Sequence, residues 1–102
     1  MIIKKQYRKS RPVCKVTFGL PREMTESAVT AHIVGEFNGW DTKPTPMKKL
    51  KNGAFTVTID LEQGREYQFR YLIDEIKWEN ALNADRYAST PYRGCSNSVV
   101  VL

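Results

Sequence analysis

The stretch Phe55-Thr56-Val57-Thr58-Ile59-Asp60-Leu61-Glu62-Gln63-Gly64-Arg65-Glu66-Tyr67-Gln68-Phe69-Arg70-Tyr71-Leu72-Ile73 decides the fold. Apolar and polar residues alternate through it twice. In the first segment Phe55, Val57, Ile59 and Leu61 take one side, with Thr56, Thr58 and Asp60 on the other. Successive side chains of a strand point to opposite faces, so a period of two predicts a strand half buried against a core. Gln63-Gly64 then turns the chain. In the second segment Tyr67, Phe69, Tyr71 and Ile73 share a face opposite Gln68, Arg70, Leu72 and Asp74.

The same alternation appears on either side. Upstream, Asn52-Gly53 is a strong hairpin turn, preceded by a candidate short strand at residues 47–50. Residues 42–46 hold two prolines and read as a loop, because proline cannot donate to a central ladder. Residues 13–18 form a first strand with Cys14, Val16 and Phe18 on one face, closed by Gly19 and Pro21. Residues 22–27 are polar and short, a loop or one helical turn. A second strand, residues 29–34, runs into the turn dipeptide Asn38-Gly39. Downstream, Asp74-Glu75 reverses the chain into a short strand at residues 76–78. Residues 79–94 read as one long, polar, irregular connection. Ser98 to Leu102 is a final strand buried on both sides. No segment sustains a period of 3.6. Six or seven short strands separated by turns predict an all-β, two-layer antiparallel sandwich.

The chain has 102 residues, the size of one domain, and can bury roughly two-thirds of its unfolded surface. Its net charge of +5 is unevenly spread. Residues 1–11 carry Lys4, Lys5, Arg8, Lys9 and Arg11 and no acid, leaving eleven basic and eleven acidic residues in the remainder. The chain therefore divides into a basic N-terminal arm, 1–11, and a single neutral domain, 12–102. The arm reads as a solubilising tail, and the body offers no net basic field for phosphate, so nucleic acid is not expected as a partner. No apolar run approaches a membrane span, and the first residues lack the apolar middle of a signal peptide, so no membrane association is expected. The cytoplasm is the expected compartment, with Cys14 and Cys95 as reduced thiols. A bridge between them requires the first and last strands to lie together.

Enzyme chemistry finds little support. His32 is the sole histidine and falls mid-strand, opposite the apolar face, where it cannot serve a nucleophile as a loop or strand-end base would. One histidine and two cysteines at no zinc spacing predict no metal site, and no glycine loop cradles phosphate, so no cofactor is expected. The loop carboxylates Asp41, Glu79 and Asp85 could form a glycosidase pair only inside a deep cleft, which a domain this small does not suggest.

Binding residues are better represented. Trp40 follows Asn38-Gly39 and is flanked by Asn38 and Asp41; Trp78 follows Asp74-Glu75. An indole at a turn offers a rigid flat face with little conformational entropy to lose. Amide and carboxylate neighbours suit a ligand with an apolar face and hydroxyl edges, which is the character of a sugar ring. Arg70 lies on the polar face of the strand leading to Trp78, and Asn97 opens the last strand with an amide donor and acceptor. Lys43, Asn80 and Asn83 are candidates for a rim.

The same residues carry a family resemblance. Ile33-Val34-Gly35-Glu36-Phe37-Asn38-Gly39-Trp40, then Tyr67 to Asp74, then Trp78, then Asn97-Ser98-Val99-Val100-Val101 resemble a glycogen-binding module. The family is carbohydrate-binding module 48, the early-set domain of isoamylases and glycogen-branching enzymes, also found in the β subunit of AMP-activated protein kinase. The resemblance runs from about Val13 to Leu102. It implies a non-catalytic, immunoglobulin-like β-sandwich that binds an α-glucan polysaccharide or maltooligosaccharide. Trp40 and Trp78 would stack on successive glucose rings. Arg70 stands where the family has a hydroxyl-binding lysine, and Asn97 where it has a hydroxyl-binding asparagine. Before that asparagine the kinase module has leucine and threonine flanking a glycine. Here Arg93-Gly94-Cys95 puts a charge for the apolar wedge and a weak thiol donor for the hydroxyl, and both Arg93 and Cys95 join the candidate rim. Many modules of this family are fused to a catalytic barrel and act in docking. An alternative role is therefore docking on a glycogen-metabolising enzyme without glucan affinity.

Overall fold

The structure, a computed structural model, describes residues 3–8, 10, 12–25, 27–82, 84–90 and 96–102. Among them are the strands β1 (Ile3–Tyr7), β2 (Val13–Leu20), β3 (Ala31–Gly35), β4 (Lys48–Lys49), β5 (Phe55–Glu62), β6 (Glu66–Ile73), β7 (Lys77–Glu79), β8 (Arg86–Ser89) and β9 (Ser96–Val101). One helical turn, α1 (Arg22–Thr25), follows β2. The strands form two sheets in the orders β1-β2-β5-β4 and β3-β6-β9-β8, with β7 paired to the far end of β6. Every pairing is antiparallel. The chain crosses between sheets after β2, β3 and β5, which makes an immunoglobulin-like β-sandwich.

Register follows the alternation. Cys14 pairs with Leu61, Val16 with Ile59, Phe18 with Val57 and Leu20 with Phe55, so both strands send their apolar sets to the same inner face. Tyr67, Phe69, Tyr71 and Ile73 of β6 come from the facing sheet, and all four are buried. Phe18 and Phe69 meet edge to face at 5.0 Å, and Phe69 meets Tyr71 at 5.7 Å. The Tyr67 hydroxyl accepts from the Glu62 N–H at 3.1 Å and so locks the β5–β6 connection. Gly64, at φ +77, makes that turn.

Three parts of the chain depart from the sequence reading. Residues 3–7, expected in a basic arm, pair with β2 as an edge strand, and Lys5 donates to Asp85 at 2.6 Å across the sandwich. Backbone groups alone can build a ladder, so a strand with little apolar content gives no alternating signal. Residues 79–94, expected to be irregular, contain β8 on the edge of the second sheet. Its approach is pinned by the Tyr87 hydroxyl, which donates to the carbonyl of Ala81 at 2.6 Å. The second strand begins at Ala31 rather than Val29, because the N–H groups of Val29 and Thr30 go to the Asp74 carboxylate. Cys14 is a free thiol in the core; Cys95 lies outside the described residues, and with it the alternative bridge. No helix among the described residues is long and apolar enough to cross a membrane.

Candidate functional site

The run Gly35 to Trp40 builds one end of the site. Gly35 is extended and buried, and no other residue fits there: a Cβ would lie 2.5 Å from the Gln68 carbonyl oxygen. Glu36–Asn38 form a short 3-10 turn in which Phe37 packs against Phe18, Tyr67 and Phe69. Asn38 ties the turn to its surroundings. Its Oδ1 accepts from the Gly35 N–H, and its Nδ2 donates to the Ile33 carbonyl and the Thr45 hydroxyl, each at 3.0 Å. Gly39 and Trp40 both have positive φ, +65 and +60. Glycine tolerates that region freely; for tryptophan it costs about 1–2 kcal/mol. At this turn the indole is partly open to solvent: Trp40 is 40% exposed.

A second turn presents the other indole. Asp74 and Glu75 have φ of +52 and +63, and the Ile76 N–H donates to the Ile73 carbonyl at 3.2 Å, closing a tight turn within the three-residue connection from Ile73 to Lys77. Asp74 holds this turn by accepting from Val29 at 2.7 Å and Thr30 at 3.0 Å. These backbone bonds, Thr30's foremost, hold its carboxyl below the usual carboxylate range. The turn fixes the β6–β7 register, which pairs Leu72 with Trp78. Trp78 is 45% exposed.

Between the indoles lies the outer face of the second sheet. Val34, Leu72 and Val99 are buried on that face, so it is not a plain solvated surface. An open groove of about 390 Å³ is lined by Glu36, Trp40, Gln68, Arg70, Trp78, Thr90 and Asn97. Its polar floor is joined by hydrogen bonds. Arg70 Nε donates to Asn97 Oδ1 at 2.7 Å, and Asn97 Nδ2 donates to Gln68 Oε1 at 2.9 Å. The Gln68 backbone N–H donates to Glu36 Oε1 at 2.7 Å, so Glu36 continues the ladder where β3 stops. The groove therefore combines two flat apolar faces with fixed donors and acceptors, a composition matched to a polyhydroxylated ring.

The sequence profile of carbohydrate-binding module 48, the isoamylase N-terminal domain, matches residues 22–92. The chain belongs to this family. It is also 40% identical over 60 residues to a 1,4-alpha-glucan branching enzyme of Photobacterium profundum, covering 58% of this chain and 8% of that enzyme. It is 44% identical over 43 residues to a 1,4-alpha-glucan-branching enzyme of Rhizophagus irregularis, covering 42% of this chain and 6% of the enzyme. The matched segment thus spans less than a tenth of either relative, and the profile it matches is that of a binding module.

Within this carbohydrate-binding module 48 domain, Trp40, Trp78, Arg70 and Asn97 all line the one groove. Lys43 does not line it; its backbone N–H donates to Asp41 Oδ1 at 3.0 Å in a local turn. Asn80 is a structural strut, donating to the Ser96 carbonyl at 2.9 Å and accepting from the Ser98 hydroxyl at 2.8 Å. Asn83, Arg93 and Cys95 lie outside the described residues. Glu36, Gln68 and Thr90 line the groove without having been singled out in the sequence. Gln68 could have been found, since it shares the polar face of β6 with Arg70.

Proposed function

We propose that this domain is a non-catalytic binding module for an α-glucan of the glycogen or starch type. The reading is carried by one observation: Trp40 and Trp78, distant in sequence, line the same groove together with Arg70 and Asn97. Family membership supports it, as does the similarity to 1,4-alpha-glucan branching enzymes. The indoles stack on the apolar faces of glucose rings while the polar floor meets their hydroxyls. Two stacked indoles at about 1 kcal/mol each and a few exposed hydrogen bonds must outweigh the cost of ordering a flexible glucan. That leaves a Kd of roughly 10 μM to 1 mM per site, useful on a polymer that presents many sites. Titration with β-cyclodextrin, followed by tryptophan fluorescence, tests this. A saturable change lost in Trp40→Ala is expected; an unchanged signal at millimolar sugar would refute it.

A second reading, docking on a glycogen-metabolising enzyme, draws support from another surface. Val29 and Ile76 are 78% and 83% exposed beside the β6–β7 turn. Co-purification with such an enzyme, unaffected by Trp40→Ala but lost on Ile76→Lys, would favour it.

A further inference from the structure

The hydrogen bonds of the groove floor have a direction, and that direction determines which atoms are left for a ligand. A guanidinium can only donate. Arg70 Nε at 2.7 Å therefore requires Asn97 to present Oδ1, not its amide nitrogen. Asn97 Nδ2 must then turn to Gln68, which meets it with Oε1 at 2.9 Å. Each end of the Asn97 amide thus makes one bond inside the protein, which fixes its orientation beside Arg70. Among the described residues, Gln68 Nε2 and the terminal nitrogens of Arg70 take no further partner. Glu36 uses Oε1 on the Gln68 backbone N–H at 2.7 Å, which leaves its second oxygen. Glu36, Gln68 and Arg70 all line the groove, and among the described residues Glu36 and Arg70 form no ion pair with each other.

We infer that Gln68 Nε2, the terminal nitrogens of Arg70 and the free oxygen of Glu36 meet ligand hydroxyls in this groove, and that Asn97 holds the Arg70 guanidinium in position for them. This deepens the α-glucan reading and rests on it. Donors on Gln68 and Arg70 with an acceptor on Glu36 suit a neutral polyol, whose hydroxyls both give and take. The carboxylate disfavours a phosphate ester or a uronate at the same place, since like charges at close range repel.

Isothermal titration with maltoheptaose tests the assignment. Glu36→Gln keeps a carbonyl oxygen for the Gln68 N–H and turns the free acceptor into a donor. Gln68→Glu keeps an oxygen for Asn97 Nδ2 and turns the free donor into an acceptor. Each should weaken binding roughly 5- to 10-fold, the effect of one lost hydrogen bond, with an unchanged melting midpoint. Asn97→Ala should weaken wild-type binding by a similar factor, and by a smaller one in an Arg70→Met background, because part of its effect passes through the guanidinium. The Arg70 Nε–H resonance should also shift and exchange faster in Asn97→Ala. Unchanged affinity in both Glu36→Gln and Gln68→Glu, with Trp40→Ala still losing binding, would overturn this inference alone. An Asn97→Ala loss undiminished in the Arg70→Met background would refute the positioning role. No binding of maltoheptaose by the wild-type domain would overturn the glucan reading and this assignment together.

Discussion

A methyl group added at Gly35 would meet the Gln68 carbonyl oxygen at 2.5 Å and Phe69 Cβ at 2.7 Å. Neither can retreat, because both belong to the backbone frame of β6. Gly35→Ala should therefore destabilise the domain by about 2–3 kcal/mol in urea unfolding, although its extended φ suits any residue. The opposite outcome is expected at Tyr71. Its hydroxyl is buried with no partner among the described residues, and burial pushes its ionisation well above the ordinary tyrosine value. Removing an unsatisfied buried group relieves a desolvation penalty, so Tyr71→Phe should leave stability unchanged or raise it by about 1 kcal/mol. Residue types in the sequence marked Gly39 as a turn and Trp40 as outward. The positive φ of Trp40 could not be read there, because nothing in a tryptophan's surroundings in sequence announces a left-handed backbone.

At the scale of elements, the β6–β7 hairpin invites two measurements. Its turn places two non-glycine residues at positive φ, where each costs about 1–2 kcal/mol. Glu75→Gly removes that cost and regains flexibility in the unfolded chain, for a net gain of about 0.5–1 kcal/mol in thermal unfolding. Asp74 behaves differently, since its carboxylate is tied to Thr30 and Val29. Its folded pKa lies below the unfolded value of about 3.9, so its stabilisation is present above that pH. It is lost as pH falls through the lowered folded value. Unfolding midpoints should thus fall from about pH 4 downward, and Asp74→Asn should flatten part of that slope. Strands whose inner face carries an apolar set were legible, the edge strand β3 with Ala31 and Ile33 among them. The edge strands β1 and β8 were not, since they are held largely by backbone bonds and carry polar side chains such as Lys4, Gln6 and Arg86.

For the whole molecule, the central fact is convergence. Trp40 leaves a turn after β3, Trp78 sits on β7, Arg70 and Gln68 come from β6, and Asn97 comes from β9. Antiparallel pairing of these strands in one sheet brings their outer faces together into a single groove. The four principal residues were visible in the sequence as residue types at turns and strand faces. Their shared surface was not, because it depends on the order of strands in the sheet, which local alternation does not encode. Lys43 and Asn80 show the same limit from the other side: polar loop residues near the site in sequence serve local turns and struts instead.

Co-sedimentation with glycogen tests the convergence most directly. The wild-type domain should pellet with the polymer at physiological and at high salt, because an uncharged glucan offers no charge for salt to screen. The double variant Trp40→Ala, Trp78→Ala should remain in the supernatant with an unchanged circular dichroism spectrum. Equal pelleting of the two proteins, or a wild-type domain that stays in solution, would contradict the account.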